Sequence, residues 1–395
     1  MPNELKKSLL ITLDFPPRLG GVATYYHSVC KNLPADKIVV LAPKQEGAES
    51  FDQAQNFTII RKKMLGQFPE VWPKSLGGII KIISRIKWLS IIRHLASVAK
   101  THKIEIIQAG QILPLGTLAW LFWRRKKIPY IFYAHGLDIT LPQRFMRKKT
   151  LLKKIIVNAK GMVANSYFTK DELVKLGADS KKIIVVYPCP NLELQQVSET
   201  ETAKIINDYG LKNKKILLTV GRLVERKGHD LTIKSLPKII KQVPNVAYLI
   251  VGSGPREKYL KDLTVQSGLS EHVQFIGAVD QKKLAALYQV CDAFIMPSRQ
   301  LANGDVEGFG IVYLEANLFG KPAIGGKSGG VPEAIVDGKT GLLVDPNSVN
   351  EIALAAIKLL TDPAYAERLG LQGLERVSNE FNWFSQTAKI KSLLN

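Results

Sequence analysis

Only three of the 395 residues are cysteine, and Cys30, Cys189 and Cys291 lie far apart. Such sparse thiols exclude a disulfide framework and a Cys-rich zinc module, and they fit a reducing cytoplasm. Long apolar runs are also missing. The longest, ILPLGTLAWLFW (112 to 123), is broken by Pro114 and Gly116, whereas a membrane-spanning helix needs roughly 18 to 20 residues. The apolar patch near the N-terminus meets Asp14 too soon for a secretory leader, so a first β-strand is expected there. Acids are scarce: 34 Asp and Glu face 55 Lys and Arg, for a net charge of +21. That imbalance calls for a polyanionic partner, whether nucleic acid, an anionic bilayer or a phosphorylated substrate.

The composition that remains, 46% hydrophobic and 23% charged, is that of a globular chain with room for two cores. Short β-branched runs alternate with longer helical patterns. SLLITL (8 to 13), DKIVVLA (36 to 42), EIIQAG (105 to 110), YIFYAH (130 to 135) and GMVANS (161 to 166) read as strands of a first half. KILLTVG (215 to 221), NVAYLIVG (245 to 252), VQFIGAV (273 to 279), AFIMPS (293 to 298) and KPAIGG (321 to 326) read as strands of a second. Near-continuous apolar strands between helices are what buried parallel sheets require. The expected fold class is α/β, with two Rossmann-like domains at 1–190 and 191–375 and a C-terminal helix within 376–395 returning to the first. The joint falls near YPCPNLELQQVSETE (187 to 201). Ligands of such sheets bind beyond the strands' carboxyl ends, so a cleft between facing domains is the expected active site.

Glycines and charges gather at those strand ends. DFPPRLGGV (14 to 22) sets Gly20 and Gly21 ahead of a helix opening near Val22. Free N–H groups and a positive dipole end would suit a phosphate there, though a GG pair after a strand also makes an ordinary turn. GRLVERKGHD (221 to 230) follows the first strand of the second half. A guanidinium at Arg222 can grip two phosphate oxygens and Lys227 supplies a compact point charge; the other reading is a solvated basic loop. In EGFGIVYLEA (307 to 316), Gly308, Phe309 and Gly310 turn the chain into a helix near Ile311, with Glu315 about one turn inside. The glycine N–H groups can face a sugar or phosphate, Glu307 can accept from sugar hydroxyls, and Glu315 can accept from both hydroxyls of a ribose. The competing reading is a loop entering a core helix with both acids at its wet edges.

In DFPPRLGGV, YAHGLDIT, GRLVERKG, EGFGIVYLEA and SGGVPEAIVDGKTGLLV, over essentially its whole length, the sequence resembles the retaining glycosyltransferases of family 4, which have the GT-B fold. The wording of DFPPRLGG and DVEGFGIVYLEA is most like the branch of phosphatidylinositol mannosyltransferases and related bacterial enzymes. The resemblance implies a nucleotide-diphosphate sugar as donor, its diphosphate held by Arg222 and Lys227 and its ribose by Glu315. It implies that Glu307 and the backbone of Gly308 to Gly310 hold the transferred hexose, of mannose or glucose type. The Gly20–Gly21 loop would close on the phosphates, and backbone near Val279 would meet the base. His135 matches the family's histidine beside the reacting sugar, and Asp14 is expected to face the acceptor. No two aspartates stand two apart, so no metal is expected, with fixed cations and helix dipoles stabilising the leaving group. Front-face attack, a donor phosphate oxygen taking the acceptor's proton, is what the resemblance implies for retention. Two stretches depart from the family: QAGQ at 108 to 111 and CPNLE at 189 to 193.

Basic residues cluster in the first half. Lys74, Lys81 and Arg85 share one face of a helix expected at 73 to 87, and Arg147, Lys148 and Lys149 belong to another expected at 143 to 156; WRRKK (123 to 127) adds more. Basic amphipathic helices lie readily on an anionic bilayer, although a core helix with a solvated lysine face has the same pattern. The leading expectation is hexose transfer to a lipid or lipid-linked acceptor by an enzyme peripheral on the cytoplasmic face of the membrane. The alternatives are the same transfer to a soluble polysaccharide or cell-envelope precursor and, more distantly, a sugar-nucleotide epimerase or a nucleic-acid-binding protein. Nucleic acid is disfavoured because the basic runs are interleaved with Ile and Leu, not aromatics.

Overall fold

Strands in which every residue is apolar must be covered on both faces, and that requirement organises the chain. A computed structural model describes residues 4–18, 20–62, 91–190 and 197–395. They divide into two compact units: the chain to Asn165 with Thr169–Tyr187 and Trp383–Asn395, and Ser166–Phe168 with Pro188–Asn382.

The first unit holds a seven-stranded parallel sheet of β1 (Ser8–Ile11), β2 (Ile38–Pro43), β3 (Thr58–Lys62), β4 (Ile106–Ala109), β5 (Tyr130–Ala134), β6 (Gly161–Ala164) and β7 (Ile183–Val185). Its order is β3-β2-β1-β4-β5-β6-β7. Alternate residues enter two cores. Leu9, Ile11, Ile107 and Phe132 pack on one face with Leu152 and Ile155; Leu10, Ile106, Ile131 and Tyr133 pack on the other with Tyr25 and Tyr26.

The second unit holds six parallel strands: β8 (Lys215–Val220), β9 (Val246–Val251), β10 (Val273–Gly277), β11 (Ala293–Met296), β12 (Ala323–Gly326) and β13 (Gly341–Val344). Their order is β10-β9-β8-β11-β12-β13. In both sheets the order reverses beside the first strand, between β1 and β4 and again between β8 and β11. Loops leaving the two strands at such a point diverge to opposite faces and open a crevice at the carboxyl ends.

Several elements differ from the sequence reading. The sequence pattern does not mark β3, β7 and β13, which lie at sheet edges where the apolar signal is weak. The helix expected over 143–156 is broken. A 3-10 turn spans Leu141–Arg144, Phe145 is extended (φ −108°, ψ 113°), and the α-helix runs Met146–Asn158. Pro142 at the second position of the turn and the extended Phe145 end one element before the other begins. Residues 376–380 finish a long helix of the second unit, Pro363–Glu380, and the final helix is Trp383–Leu394. The helix expected at 73–87, with Lys74, Lys81 and Arg85, lies outside the described residues. Among the described residues, no helix is long and apolar enough to cross a membrane.

The final helix belongs to the first unit. Ile390 and Leu394 are fully buried in the core that contains Tyr25, Tyr26 and Tyr133, Trp383 meets Tyr25 edge-on at 5.2 Å, and Lys6 N–H donates to the carbonyl of Leu394 at 2.9 Å. Ile390→Ala should therefore lower unfolding stability by about 2 to 5 kcal/mol, the cost of a cavity at a fully buried site. Urea denaturation checks this; a loss within about 0.5 kcal/mol would mean that the helix contributes little to that core.

Candidate functional site

In the first unit the predicted residues gather where the strand order reverses. Beyond β1, Asp14 accepts from Gln111 Nε2 at 3.1 Å, and Gln111 lies just beyond β4. Arg18 Nη1 sits 2.9 Å from the same carboxylate. Gly20 takes φ 147°, a conformation open to glycine, and caps the helix Gly21–Lys31 without a side-chain bond. No acid lies in that helix's first turn, and a Cβ at Gly20 or Gly21 would meet nothing within 4 Å. The helix N-terminus therefore presents free N–H groups. Its own Tyr26 hydroxyl lies 2.6 Å from His135 Nε2 and donates to the carbonyl of Gly110. The His135 ring is enclosed edge-on by Tyr25 and Tyr26, and its backbone N–H donates to Asp138 at 2.8 Å.

In the second unit two loops meet at the other reversal. Lys227 ends the loop after β8 and is buried; its Nζ pairs with Glu307 Oε2 on the loop after β11. Arg226 Nε lies 3.2 Å from Asp305 Oδ1, and its Nη2 lies 3.9 Å from Glu307 Oε2. Arg299 fastens the loops together, gripping Asp230 with two bonds of 3.1 Å and donating its backbone N–H to the carbonyl of Arg226 at 2.8 Å. Gly228 (φ 76°) permits this approach, since a Cβ there would lie 2.3 Å from the carbonyl of Pro297. Gly310 (φ 95°) caps the helix Ile311–Leu318, and a Cβ would strike the Tyr313 ring at 2.4 Å. That helix too has no side-chain cap and no acid in its first turn. Gly308 and Phe309 are buried, so the helix is approached through backbone at this turn. Glu315, within the helix, accepts from the Tyr288 hydroxyl at 2.9 Å. Val279 lies in the loop after β10, just before Gln281–Val290, the helix that carries Tyr288.

Two family models match the chain: Glycosyltransferase Family 4 over residues 19–194 and Glycosyl transferases group 1 over 201–376. A GDP-mannose-dependent alpha-(1-6)-phosphatidylinositol monomannoside mannosyltransferase of Mycolicibacterium smegmatis is 31% identical, over 98% of each chain. The protein is a glycosyltransferase of family 4. A Corynebacterium glutamicum relative, named as acting on monoacylated phosphatidylinositol monomannoside, is 28% identical over 98% of each chain. Anabaena HepE solved with UDP and glucose (19% identity, TM-score 0.78, 98% of this chain and 99% of that one) shares the fold. So does sucrose-phosphate synthase of Thermosynechococcus elongatus (22% identity, TM-score 0.79, 98% and 97%). The two Rossmann-like units are those of the GT-B fold.

In this glycosyltransferase the two cations read alike from the sequence are in different states. Arg222 is exposed, with no carboxylate within ion-pair reach among the described residues, whereas Lys227 is held by Glu307. Burial pulls the Lys227 ammonium below the usual lysine range, against the pull of Glu307. Burial pushes Glu307 the other way, but Lys227 and Arg226 outweigh it and hold its carboxyl below the ordinary value. Glu307 is therefore ionised at pH 7, and its direct contact favours the charged form of Lys227. Glu315 is pushed up by burial despite the Tyr288 bond. Burial draws His135 down to about 4, so its ring is neutral at pH 7. Sequence reasoning passed over four contributors: Arg226, Asp305, Tyr288 and Tyr26. Arg226 and Asp305 stand inside quoted motifs, where only their charge marked them. Tyr288 and Tyr26 are helix residues whose contacts cross the fold. Arg147, Lys148 and Lys149 sit in the first turn of the helix Met146–Asn158.

His229, behind Lys227, is 2% exposed, and neither ring nitrogen has a hydrogen-bond partner. Burial, reinforced by Lys227, draws its pKa down to about 3. As pH falls below the unfolded value near 6.5, the unfolded chain binds a proton that the folded chain refuses. Stability contributed by the neutral ring is thus intact above that pH and lost as pH falls toward 3. At pH 5 the loss is about 2 kcal/mol. Urea unfolding at pH 7.5 and pH 5 should show the acid penalty shrinking by that amount in His229→Gln; an unchanged penalty would place the titration elsewhere.

Proposed function

We propose that the chain is a retaining, metal-independent mannosyltransferase that moves mannose from GDP-mannose to a phosphatidylinositol-type lipid at the cytoplasmic face of the membrane. The observation that carries this reading is the near-full-length likeness to the M. smegmatis enzyme, whose name states that donor and acceptor. The charge arrangement at the β8–β11 crevice suits it. Arg222 and Lys227 take the diphosphate, aided by the uncapped helix N-terminus at Gly310. Glu315 takes the ribose, backbone near Val279 the base, and Glu307 with Gly308 to Gly310 the mannose. His135, neutral and oriented by Tyr26, and Asp14, both at strand ends of the first unit, keep the roles that the family resemblance implies for them.

As the bond from mannose C1 to the diphosphate oxygen breaks, positive character grows on the sugar and negative charge on the leaving group. Preorganised cations and N–H groups stabilise that charge, lowering the barrier where charge develops. The acceptor oxygen bonds to C1 on the face the diphosphate leaves, and its proton passes to a diphosphate oxygen. The products are the α-mannoside and GDP.

Membrane contact is assigned to the first unit. From residue 71 to 170 the chain has 19 Lys and Arg but only Glu105 and Asp138 as acids, and Asp138 is turned inward to the backbone of His135. Beside Arg147, Lys148 and Lys149, Phe145 and Met146 are 54% and 78% exposed. Basic charge flanking exposed apolar side chains is the pattern of interfacial attachment, each cation near an anionic surface contributing about 1 kcal/mol.

A panel of GDP- and UDP-sugars with phosphatidylinositol and with soluble glycan acceptors tests the reaction. We expect transfer from GDP-mannose to the lipid, undiminished by EDTA, and a loss of at least about a hundredfold in Lys227→Ala and Arg222→Ala from leaving the diphosphate charge unpaired. Transfer only to soluble glycans, or dependence on added magnesium or manganese, would refute the corresponding part. Sedimentation with phosphatidylglycerol vesicles tests the surface. Binding should weaken with salt and in Arg147→Ser/Lys148→Ser/Lys149→Ser; a protein that ignores such vesicles at low salt would sink the membrane assignment.

A further inference from the structure

The following inference rests on the transfer reaction proposed for the β8–β11 crevice and concerns a residue to which that reaction gives no part. Four charges meet there as two neighbouring pairs, Arg226 with Lys227 and Asp305 with Glu307. They are not matched symmetrically. Glu307 Oε2 faces both cations, Lys227 directly and Arg226 Nη2 at 3.9 Å, whereas the Arg226 Nε is 3.2 Å from Asp305. The side chains of Arg226 and Glu307 are only 19% and 13% exposed.

A diphosphate can engage Lys227 only by competing with Glu307. An ammonium on a flexible stem can turn to the phosphate. The Glu307 carboxylate would then be left in a poorly solvated place without its main counter-ion, and would either swing away or take up a proton. Both outcomes would spoil it as an acceptor for sugar hydroxyls. Arg226 stands where it prevents them. Its planar guanidinium spans the two carboxylates, and its backbone carbonyl is tied to Arg299, itself clamped to Asp230. Asp305 is fixed in turn, its N–H donating to Asn303 Oδ1 at 2.8 Å. We propose that Arg226 is a positioning residue: moored by Asp305, it holds the Glu307 carboxylate in place when a donor diphosphate draws Lys227 away.

The groups facing Glu307 are Lys227 and Arg226, with Asp305 beyond Arg226, Arg222 acting on Asp305, and the Tyr313 phenol at the start of the following helix. The test titrates the Glu307 carboxyl by carbon-13 NMR in the full-length chain, with Glu307→Gln as the assignment control. The acid dissociation constant should fall less than about tenfold in Lys227→Met and at least about a further tenfold in Lys227→Met/Arg226→Gln. If Lys227→Met alone produces the whole change, Arg226 does not hold the carboxylate and the proposal is overturned. Should the lysine variant not fold, GDP added to the parent and to Arg226→Gln replaces it, with the same two outcomes. These measurements need no turnover, so they decide the role of Arg226 even if the donor panel disproves the proposed reaction. In turnover, Arg226→Gln should lower kcat about tenfold or more while GDP affinity stays within about threefold, and Arg226→Lys should recover most of the loss. A fall in GDP affinity that matches the fall in kcat/KM would make Arg226 a phosphate ligand and refute the positioning role.

Discussion

A parallel sheet can be extended on either side of its first strand only by crossovers that cover opposite faces, and where the direction changes the two departing loops must part. Both units of this chain are built around that constraint, at β1–β4 and at β8–β11. The contacts between strand-end loops at those two points depend on it. Asp14 and Gln111 approach one another because β1 and β4 are neighbours, and Lys227 reaches Glu307 because β8 and β11 are. Inserting a strand between either pair would separate loops by about 5 Å per strand and dissolve the contact.

At the second reversal the electrostatics are a matter of holding charge ready without wasting it. A buried ammonium alone would lose its proton or its fold, and a buried carboxylate alone would take one up. Pairing Lys227 with Glu307 favours the charged form of both, at the cost that a ligand must exchange with the partner. The Arg299–Asp230 clamp has another purpose. It is buried and bidentate, and it fixes the two loops against each other so that the mobile partner is a side chain and not the backbone. Glycine makes the same arrangement possible at Gly228, where any side chain would collide with Pro297.

The first unit separates two tasks on one sheet. Its strand ends carry the His135–Tyr26–Gly110 knot, neutral and enclosed, while the helix Met146–Asn158 sends Leu152, Ile155 and Ile156 into the core and keeps its lysines outside. The break at Phe145 matters here. A continuous helix would have carried Phe145 on around the helical surface; the extended residue instead leaves Phe145 and Met146 standing beside the first basic turn. The amphipathic pattern is therefore partly core packing and partly surface, and the division falls within a single element.

The sequence alone determined that two parallel sheets would form, because strands such as YIFYA have no polar face to show to water. It also marked the strand-end loops, since glycines and charges ahead of helices have few other uses, and the motif spacing carried the family. It did not determine the edge strands β3, β7 and β13, whose apolar runs are too short to stand out from loops, or the interruption at Phe145. Nor could it separate Arg222 from Lys227, which look equivalent as letters. Which cation is exposed and which is locked to a carboxylate depends on the distance between loops about 80 residues apart in sequence. The partners Tyr26, Tyr288, Arg226 and Asp305 were hidden for the same reason. Periodicity reports which face of an element is buried, but a hydrogen bond or an ion pair is a relation between elements, and only the packing of strands beside one another brings its two ends together.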